Sequence, residues 1–332
     1  MANCHNLFIQ YNDELQINKS KKNRLRDSKD ALRDRIRRYF ADNHPEYIPQ
    51  FFIQGSYKMG TMIKTKDDEC DLDDGVYFLK EPDVSATTFQ KWVYKAVEGH
   101  TKGGQEHRKK CIRVIYAGDY HIDLPVYYKA EQDNHPHLAV KNEGWELSDP
   151  KEFLEWFKDV KSEKIIRVSR YLKGWGDHKR NNMPSGLVMA LLTEKYLHSD
   201  DRDDIAIYET LKNINNNLSL NWSCRMPTTP KDDLLSEYDE TFKRNFFSAL
   251  RSFIADAKDA LESDCQEKAS KLWQKHLGTR FPLGEKSAEK EAKSIANAEK
   301  KGSLIIGAAN SMNPTSKLKA KSKGGVYGSQ DF

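Results

Sequence analysis

The sequence lacks long apolar runs: across its 332 residues none approaches the roughly 20 residues that a membrane-spanning helix needs. Its first residues, MANCHNLFIQYNDELQ, also lack the basic segment followed by an apolar stretch that marks a signal peptide. These two absences favour a cytoplasmic protein that has no membrane partner.

Cysteine is scarce, and no CxxC pair occurs. The five cysteines are scattered along the chain: Cys4, Cys70, Cys111, Cys224 and Cys265. Such a pattern indicates free thiols in a reducing cytosol. A zinc site could be assembled only from His100, His107 and Cys111, whose spacing fits no common zinc motif and leaves a fourth ligand missing.

Neither sign of charge dominates, because 54 basic and 50 acidic residues leave a net charge of +4. This balance does not demand a nucleic-acid partner, although a local basic pocket could still bind a polyphosphate substrate. Hydrophobic residues make up 38% and aromatic residues 11% of the chain, which argues against wholesale disorder. The length is enough for two domains or lobes with a real core.

Helical spacing of apolar residues predicts one long helix over 13–42. Its basic stretch, 19–38, is interrupted by aspartates. We therefore favour a solvated helix face with i,i+4 ion pairs over a surface for nucleic acid or phosphate.

Strand patterns and one helix follow, and a helical region comes after them. The predicted strands are 50–54, 71–79, 111–117, 120–128 and 138–140, with a helix over 87–97. From Asp149–Pro150 onward the periodicity is helical, with Asp149 as the expected cap. We therefore predict an α+β fold with one lobe over 1–150, a helical lobe over 151–285 and a charged tail over 286–332.

The chemistry is concentrated in the segment that ends in Asp71-Leu72-Asp73. Alternate residues of a strand share a face, so Asp71 and Asp73 point the same way, about 6.5–7 Å apart. Asp123 lies within the apolar segment YHIDLPVYY, where burying an unpaired carboxylate is costly. A divalent cation such as Mg²⁺, which prefers oxygen ligands, would compensate all three acids. Pro125 is unsuited to a central strand, so the ladder should end or bulge there.

The Gly55–Ser56 turn follows the first strand. Glycine lets the backbone approach a ligand closely, and the serine hydroxyl with adjacent N–H groups could hold phosphate oxygens. A GS dipeptide or a DxD alone is common, but the order strand, GS, DxD strand and later acidic strand is far more specific.

The residues QGSYKMGTMIKTKDDECDLDDGVYF and YHIDLPVYY resemble the polymerase-β-like nucleotidyltransferase superfamily. Within it, they are most similar to the bacterial cGAS/DncV-like enzymes (CD-NTases), which make cyclic oligonucleotides for anti-phage signalling. RYLKGW (170–175) and MPSGLVMALL (183–192) resemble the helical segments that close over the nucleotide in that family, and helix 13–42 resembles its spine helix. The resemblance spans roughly residues 13–280.

The resemblance implies a fold and a set of site residues. Asp71, Asp73 and Asp123 would hold two Mg²⁺ ions, which Mn²⁺ could replace. Gln54, Gly55 and Ser56 would form the nucleotide-binding turn, with Ser56 on the triphosphate. The contacts from the helical lobe would be Lys173 and Ser185. From the residues alone, Lys173 could equally be a solvated lysine, and Ser185 a helix N-cap.

The expected activity is therefore synthesis of a cyclic di- or trinucleotide from NTPs, with ATP among the substrates. An RNA-tailing or linear-oligonucleotide synthetase of the same fold, or a catalytically silent nucleotide- or RNA-binding relative, remains open. The zinc insert of the animal relatives is absent, so activation by double-stranded DNA is not expected. Gly324, Gly325 and Gly328 could make the tail a handle for a ubiquitin-like ligation partner, although a plain flexible tail is favoured.

Overall fold

A computed structural model describes residues 2–286, of which the chain through Gly284 forms one compact unit. All but the first residue of the tail predicted over 286–332, including the three glycines of the proposed ligation handle, lies outside the described residues. No described helix is long and apolar enough to cross a membrane.

The described residues form helices and strands in an α+β arrangement, which confirms the predicted fold class. The helices are α1 (His5–Leu15), α2 (Lys19–Asn43), α3 (Gly55–Met59), α4 (Ala86–Val97), α5 (Pro150–Val160), α6 (Glu163–Lys179), α7 (Gly186–Tyr196), α8 (Asp203–Leu220), α9 (Glu240–Glu262) and α10 (Gln266–Leu277). The strands are β1 (Gln50–Gln54), β2 (Asp71–Phe78), β3 (Gln105–His107), β4 (Ile112–Tyr116), β5 (Tyr120–Leu124), β6 (Val126–Tyr128), β7 (His137–Val140) and β8 (Gly144–Leu147).

The long helix predicted over 13–42 is present as α2, but its predicted start is wrong, because the chain breaks after α1 and α2 begins at Lys19. The Asn18 side chain accepts a hydrogen bond of 2.8 Å from the Lys21 N–H and so caps the start of α2. Helix α1 ends at Leu15 and packs elsewhere: the Phe8 ring lies edge-on to Tyr171 and Trp273, with centroids 5.0 and 4.9 Å away. Its apolar face therefore belongs with the C-terminal helices.

Strand β2 organises the mixed sheet. It pairs antiparallel with β1 and parallel with β5 and then β6. Pro125 separates β5 from β6, as predicted, and its carbonyl accepts the Val76 N–H at 2.8 Å. The strands predicted over 111–117 and 120–128 leave two residues between them, whereas the hairpin between β4 and β5 encloses three, because Tyr116 pairs with Tyr120 and Gly118 takes a left-handed conformation.

Two main clusters of buried side chains divide the compact unit. One lies between the sheet, α2 and α4, whereas the other joins α1 to helices α5–α10. A boundary near residue 150 thus coincides with a change of cluster along most of the chain, with α1 as the exception. The division into two lobes and a tail stays a prediction.

The faces of β2 are used differently. Asp74 is fully buried on the side opposite to Asp73, where the guanidinium of Arg33 on α2 donates to it at 2.7 Å. Burial raises the pKa of Asp74, and the bonds from Arg33 act against that rise. Asp74 therefore attaches α2 to one face of the sheet. The opposite face of β2, which carries Asp73, is left for the candidate site.

A second buried carboxylate, Asp203 at the start of α8, ties the C-terminal helices together. It accepts hydrogen bonds from Lys164 at 2.5 Å, Arg167 at 2.8 Å and the Tyr171 hydroxyl at 2.7 Å. Burial alone would raise its pKa, but these bonds outweigh the burial and lower the pKa to about 2. The ionised form of Asp203 is therefore the stabilising one.

Asp203→Asn should lower the free energy of unfolding by about 3 kcal/mol near neutral pH, because it leaves buried cations without their partner. Urea denaturation measures the loss, and exposed Asp201→Asn is the matched control. Since the native pKa is depressed, the stabilisation is present above the usual value of 3.8 and is lost as pH falls toward about 2. Equal stability of the two variants near neutral pH would contradict this role of Asp203.

Candidate active site

The structure brings the three predicted acids together on one face of the sheet. Asp71 and Asp73 alternate along β2 with buried Leu72 and Asp74. Because β2 and β5 are parallel and in register, Asp73 lies directly opposite Asp123, and Asp71 opposite His121. The His121 ring contacts Asp71, with Nδ1 3.0 Å from Oδ1.

The electrostatics of the cluster show negative charge in excess. Burial raises the pKa of Asp73 to about 7, and the carboxylates of Asp123 and Asp71 push it in the same direction. Arg113 and Lys173 act against this rise. A carboxylate whose pKa is raised by burial and by like-charged neighbours is a site where a bound cation would be stabilised.

Arg113 on β4 is a component of this face that the sequence analysis missed. Its guanidinium holds both oxygens of Asp123, from Nε to Oδ1 and from Nη2 to Oδ2, each at 2.7 Å. The same Nη2 lies 3.6 Å from Asp71 Oδ1. The register of the β4–β5 hairpin could have revealed this contact, because pairing Tyr116 with Tyr120 places Arg113 opposite Asp123.

The Gly55–Ser56 turn touches the acids directly. Gly55 begins α3 with a φ of +64°, and a Cβ atom there would overlap the carboxylate of Asp73. Only glycine fits both the conformation and the space. Ser56, the next residue, lines the adjoining cavity, while its carbonyl accepts the N–H groups of Thr61 and Met62 at 3.0 Å each.

Gln54, which precedes this turn, is held by two tyrosines. Its side-chain amide donates to the Tyr127 hydroxyl at 3.0 Å, and the Tyr77 hydroxyl donates to its carbonyl oxygen at 3.3 Å. Gln54 is buried and lines the cavity from behind the turn. The arrangement makes it a support for the turn, and a contact to nucleotide stays a prediction.

Helix α6 supplies the second cation of the site. Lys173 donates from Nζ to the carbonyl and hydroxyl of Thr61, at 3.2 and 3.0 Å, just beyond α3. Burial lowers its pKa to about 8, and the charge of Asp73 opposes that change. Lys173 is therefore no solvated surface lysine, because its ammonium group is bonded to Thr61 and is influenced by the charge of Asp73.

Ser185 is placed less favourably than predicted. Its hydroxyl caps α7 by accepting the Val188 N–H at 3.3 Å, its side chain is exposed, and it is outside the cavity wall formed by the described residues. The next residue, Gly186, does line the cavity beside Lys173. A direct contact of Ser185 with nucleotide stays a prediction.

A cavity of about 720 Å³ adjoins these groups. Its lining includes the three acids and Lys173. Apolar side chains from several elements also line it, namely Met59, Phe153, Met183, Leu187, Met226 and Leu234. A cavity of this size with both charged and apolar lining suits a ligand with both a phosphate chain and aromatic bases.

A second cluster lies at the rim of this cavity. His135 Nδ1 is 3.1 Å from Asp149 Oδ2 and 3.7 Å from Glu152 Oε2. Among the described residues this is the group of three whose ligand atoms all lie within 4.8 Å of one another. The oxygens of Asp71, Asp73 and Asp123 are spaced more widely in this structure, and His100, His107 and Cys111 do not form such a group. Each residue of the rim cluster already has protein partners: Asp149 caps α5, and Glu152 accepts the Thr229 N–H at 3.0 Å.

The donor set at the three aspartates fits a hard divalent cation. It offers carboxylate oxygens without thiols or thioethers, and its excess negative charge is expressed in the raised pKa of Asp73. Two of the acids, Asp73 and Asp123, face each other across neighbouring strands, about 5 Å apart at the backbone. One ion could thus be shared between them.

Comparison with known proteins gives the same result in sequence and in structure. Residues 49–127 match the nucleotidyltransferase domain of the cyclic GMP-AMP synthase DncV-like family. A cyclic GMP-AMP synthase of Escherichia albertii is 31% identical over 183 residues, which are 49% of this chain and 40% of that protein. A c-di-GMP synthase of Roseivirga ehrenbergii is 28% identical over 156 residues, 44% of this chain and 40% of that protein. The chain thus spans less than half the length of these two relatives.

Solved structures extend the likeness in fold beyond the matched domain. The Vibrio cholerae DncV cyclic AMP-GMP synthase superposes with a TM-score of 0.74 at 19% identity, over 84% of this chain and 97% of that one. Its complex with non-hydrolysable GTP gives a TM-score of 0.75 at 18% identity, over 86% of this chain and 100% of that one. Residues 49–127 thus belong to the DncV-like nucleotidyltransferase domain family, and the chain as a whole has a DncV-like fold.

Proposed function

We propose that this chain joins NTPs into a cyclic di- or trinucleotide messenger, and that the messenger serves anti-phage defence. The observation that carries the proposal is the strand register that sets Asp73 opposite Asp123, with Asp71 on the same face. The names of the two relatives, a cyclic GMP-AMP synthase and a c-di-GMP synthase, support a cyclic product.

Asp71, Asp73 and Asp123 are the proposed ligands of two Mg²⁺ ions, which Mn²⁺ could replace. Bound there, the ions would lower the pKa of an attacking ribose hydroxyl and stabilise the pyrophosphate that leaves. Lys173 and the backbone at Gly55–Ser56 would hold the triphosphate so that the α-phosphate faces the hydroxyl. The new O–P bond forms as the bond to pyrophosphate breaks, and a second round on the linear product closes the ring.

The proposed substrates are NTPs, with ATP among them. Solved structures of the Vibrio cholerae relative are described as bound to GTP and to a non-hydrolysable GTP, which supports a nucleoside triphosphate in the corresponding cavity. Cys4, Cys70, Cys111 and Cys224 are free thiols in the structure, which fits our proposal that the enzyme works in the cytoplasm.

Two alternatives share the same acids. A linear-oligonucleotide or RNA-tailing enzyme would leave a product with a terminal phosphate or an extended RNA. A catalytically silent relative would bind nucleotide without turnover, although the complete set of acids and the resident Lys173 speak against it.

The product assay separates these possibilities. The chain is incubated with all four NTPs and Mg²⁺ or Mn²⁺, treated with alkaline phosphatase and analysed by mass spectrometry. We expect a phosphatase-resistant cyclic product together with pyrophosphate. Phosphatase-sensitive oligonucleotides would favour the linear synthetase, and the absence of pyrophosphate under every activating condition would favour the silent relative.

Asp73→Asn should reduce product formation by at least about a hundredfold, because it removes charge where the reaction needs it preorganised. The control is Asp68→Asn, which changes an exposed carboxylate three residues before Asp71 in the same segment. Mass spectrometry of the product and circular dichroism of each variant are the measurements. Undiminished synthesis by Asp73→Asn would contradict the site assignment.

The same substitution should stabilise the protein when metal is chelated. The native pKa of Asp73, about 7, lies above its usual 3.8, so its contribution to stability is present below 3.8 and is lost as pH rises through about 7. The Asn variant has no carboxylate to ionise at this position, so it does not lose this stability as pH rises. Its melting temperature in EDTA should therefore exceed that of the wild type by more at about pH 8 than at about pH 5. If the difference in melting temperature between the two proteins does not change with pH, ionisation of Asp73 does not destabilise the fold.

Gly55→Ala should abolish synthesis, whereas Gly60→Ala should keep most of it. Both glycines have a positive φ, +64° and +78°, so both substitutions carry backbone strain of about 1 kcal/mol. Only at Gly55 would the added methyl meet the Asp73 carboxylate, since the space around Gly60 is open. Steady-state rates and melting temperatures measure the two effects. Equal loss of activity in both variants would attribute it to backbone strain alone.

A further inference from the structure

Arg113 occupies the carboxylate that the proposed function assigns to a metal ion. Its two parallel bonds to Asp123 form a fork, and both side chains are largely buried, at 15% and 11% exposure. The pair is fixed by its strands, since Arg113 on β4 lies directly opposite Asp123 on β5. This geometry is therefore built into the hairpin and does not depend on a flexible surface side chain.

The row of charges runs across three neighbouring strands. Arg113 faces Asp123, Asp123 faces Asp73, and the guanidinium also reaches within 3.6 Å of Asp71. Without Arg113, three carboxylates would share this face. Among the described residues, Lys173 would then be the cation left to lower the pKa of Asp73. Two positive charges thus balance part of three negative ones before any ion binds.

A carboxylate can serve an arginine and a metal at once. Each oxygen has two lone pairs, and a fork uses one on each, so Asp123 keeps lone pairs for another ligand. The guanidinium nevertheless remains as a fixed positive charge beside the place where a divalent cation would sit. Like charges at such distances repel strongly in a partly buried site.

We infer that Arg113 is a positioning residue that acts as the resident counter-cation of Asp123: it holds the carboxylate in place and weakens divalent-ion binding at the cluster. This inference rests on the proposed metal-binding role of the three aspartates. Because coupling between two bound charges is reciprocal, an arginine that weakens the metal must itself be held less firmly once the metal is bound.

The two parallel bonds to Asp123 explain why arginine suits position 113 better than lysine. A lysine would place one compact charge against one or the other oxygen, whereas the planar guanidinium fixes the orientation of the whole carboxylate. Arg113→Lys should therefore keep part of the charge effect but lose the orientation. Arg113→Gln should lose both.

The test measures Mn²⁺ binding to the full chain without nucleotide, by electron paramagnetic resonance and by the melting temperature as a function of Mn²⁺. Arg113→Gln should melt below the wild type in EDTA and bind Mn²⁺ about fivefold or more tightly. The matched control is Arg108→Gln, which removes a half-exposed arginine directly after β3 that pairs with Glu106 on that strand. It should leave the Kd for Mn²⁺ within about twofold of the wild-type value.

A double-mutant cycle identifies the carboxylate concerned. In an Asp123→Asn background, Arg113→Gln should tighten Mn²⁺ binding by less than it does in the wild type, because the fork to Asp123 is already gone and only the repulsion by the guanidinium charge remains to be removed. Equal or weaker Mn²⁺ binding by a folded Arg113→Gln variant would overturn the inference. If that variant does not fold, Arg113→Lys decides: tighter Mn²⁺ binding than wild type supports the inference, and equal or weaker binding overturns it.

The proposed function fails in a different way. If the wild type binds no Mn²⁺ that Asp73→Asn removes, the aspartates are not a metal site and both ideas are wrong. If the wild type binds Mn²⁺ through Asp73 but Arg113→Gln leaves the Kd unchanged, only the role of Arg113 is wrong.

Discussion

Repulsion among three carboxylates on one sheet face is the constraint around which this molecule is arranged. The parallel register of β2 and β5 forces Asp73 and Asp123 to face each other, and alternation along β2 adds Asp71. Burial raises the pKa of Asp73 to about 7, and the charges of these neighbours act in the same direction. Two cations from different parts of the chain, Arg113 on β4 and Lys173 on α6, act against that rise.

The segment that follows α3 is bonded to residues beyond the sheet. Arg170 on α6 donates to the Gly60 carbonyl at 2.6 Å, and Lys173 one turn later holds Thr61. Arg280 binds the Lys64 carbonyl at 2.7 Å, farther along the same loop. The segment between α3 and β2 is thus attached to the C-terminal helices at three points. A shift of α6 would therefore move the turn that approaches Asp73.

Much of the site could be predicted from the sequence, because its order depends on local patterns. Alternation along β2 separates Asp73 from Asp74, and the structure places Asp74 on the far face with Arg33. Pro125 marks the break between β5 and β6, since a residue without an N–H cannot continue a central ladder. The fold class followed from the change of periodicity near residue 150.

The features that sequence reasoning missed depend on partners distant in the chain. Arg113 carries no motif, and its role emerges only when the hairpin register sets it opposite Asp123. Helix α1 was overlooked because its apolar face is matched by Tyr171 and Trp273, more than 150 residues away. The break at Asn18 depends on a single capping bond that competes with otherwise continuous helical spacing.

The central claim is that the face formed by Asp71, Asp73 and Asp123 binds the cations that drive nucleotidyl transfer. Anomalous diffraction from crystals grown with Mn²⁺ and a non-hydrolysable nucleoside triphosphate tests it most directly. The account predicts Mn²⁺ peaks within coordination distance of these three carboxylates, with the triphosphate between them and Lys173. Mn²⁺ found only elsewhere, for instance at His135, Asp149 and Glu152, with a nucleotide bound away from the aspartates, would contradict it.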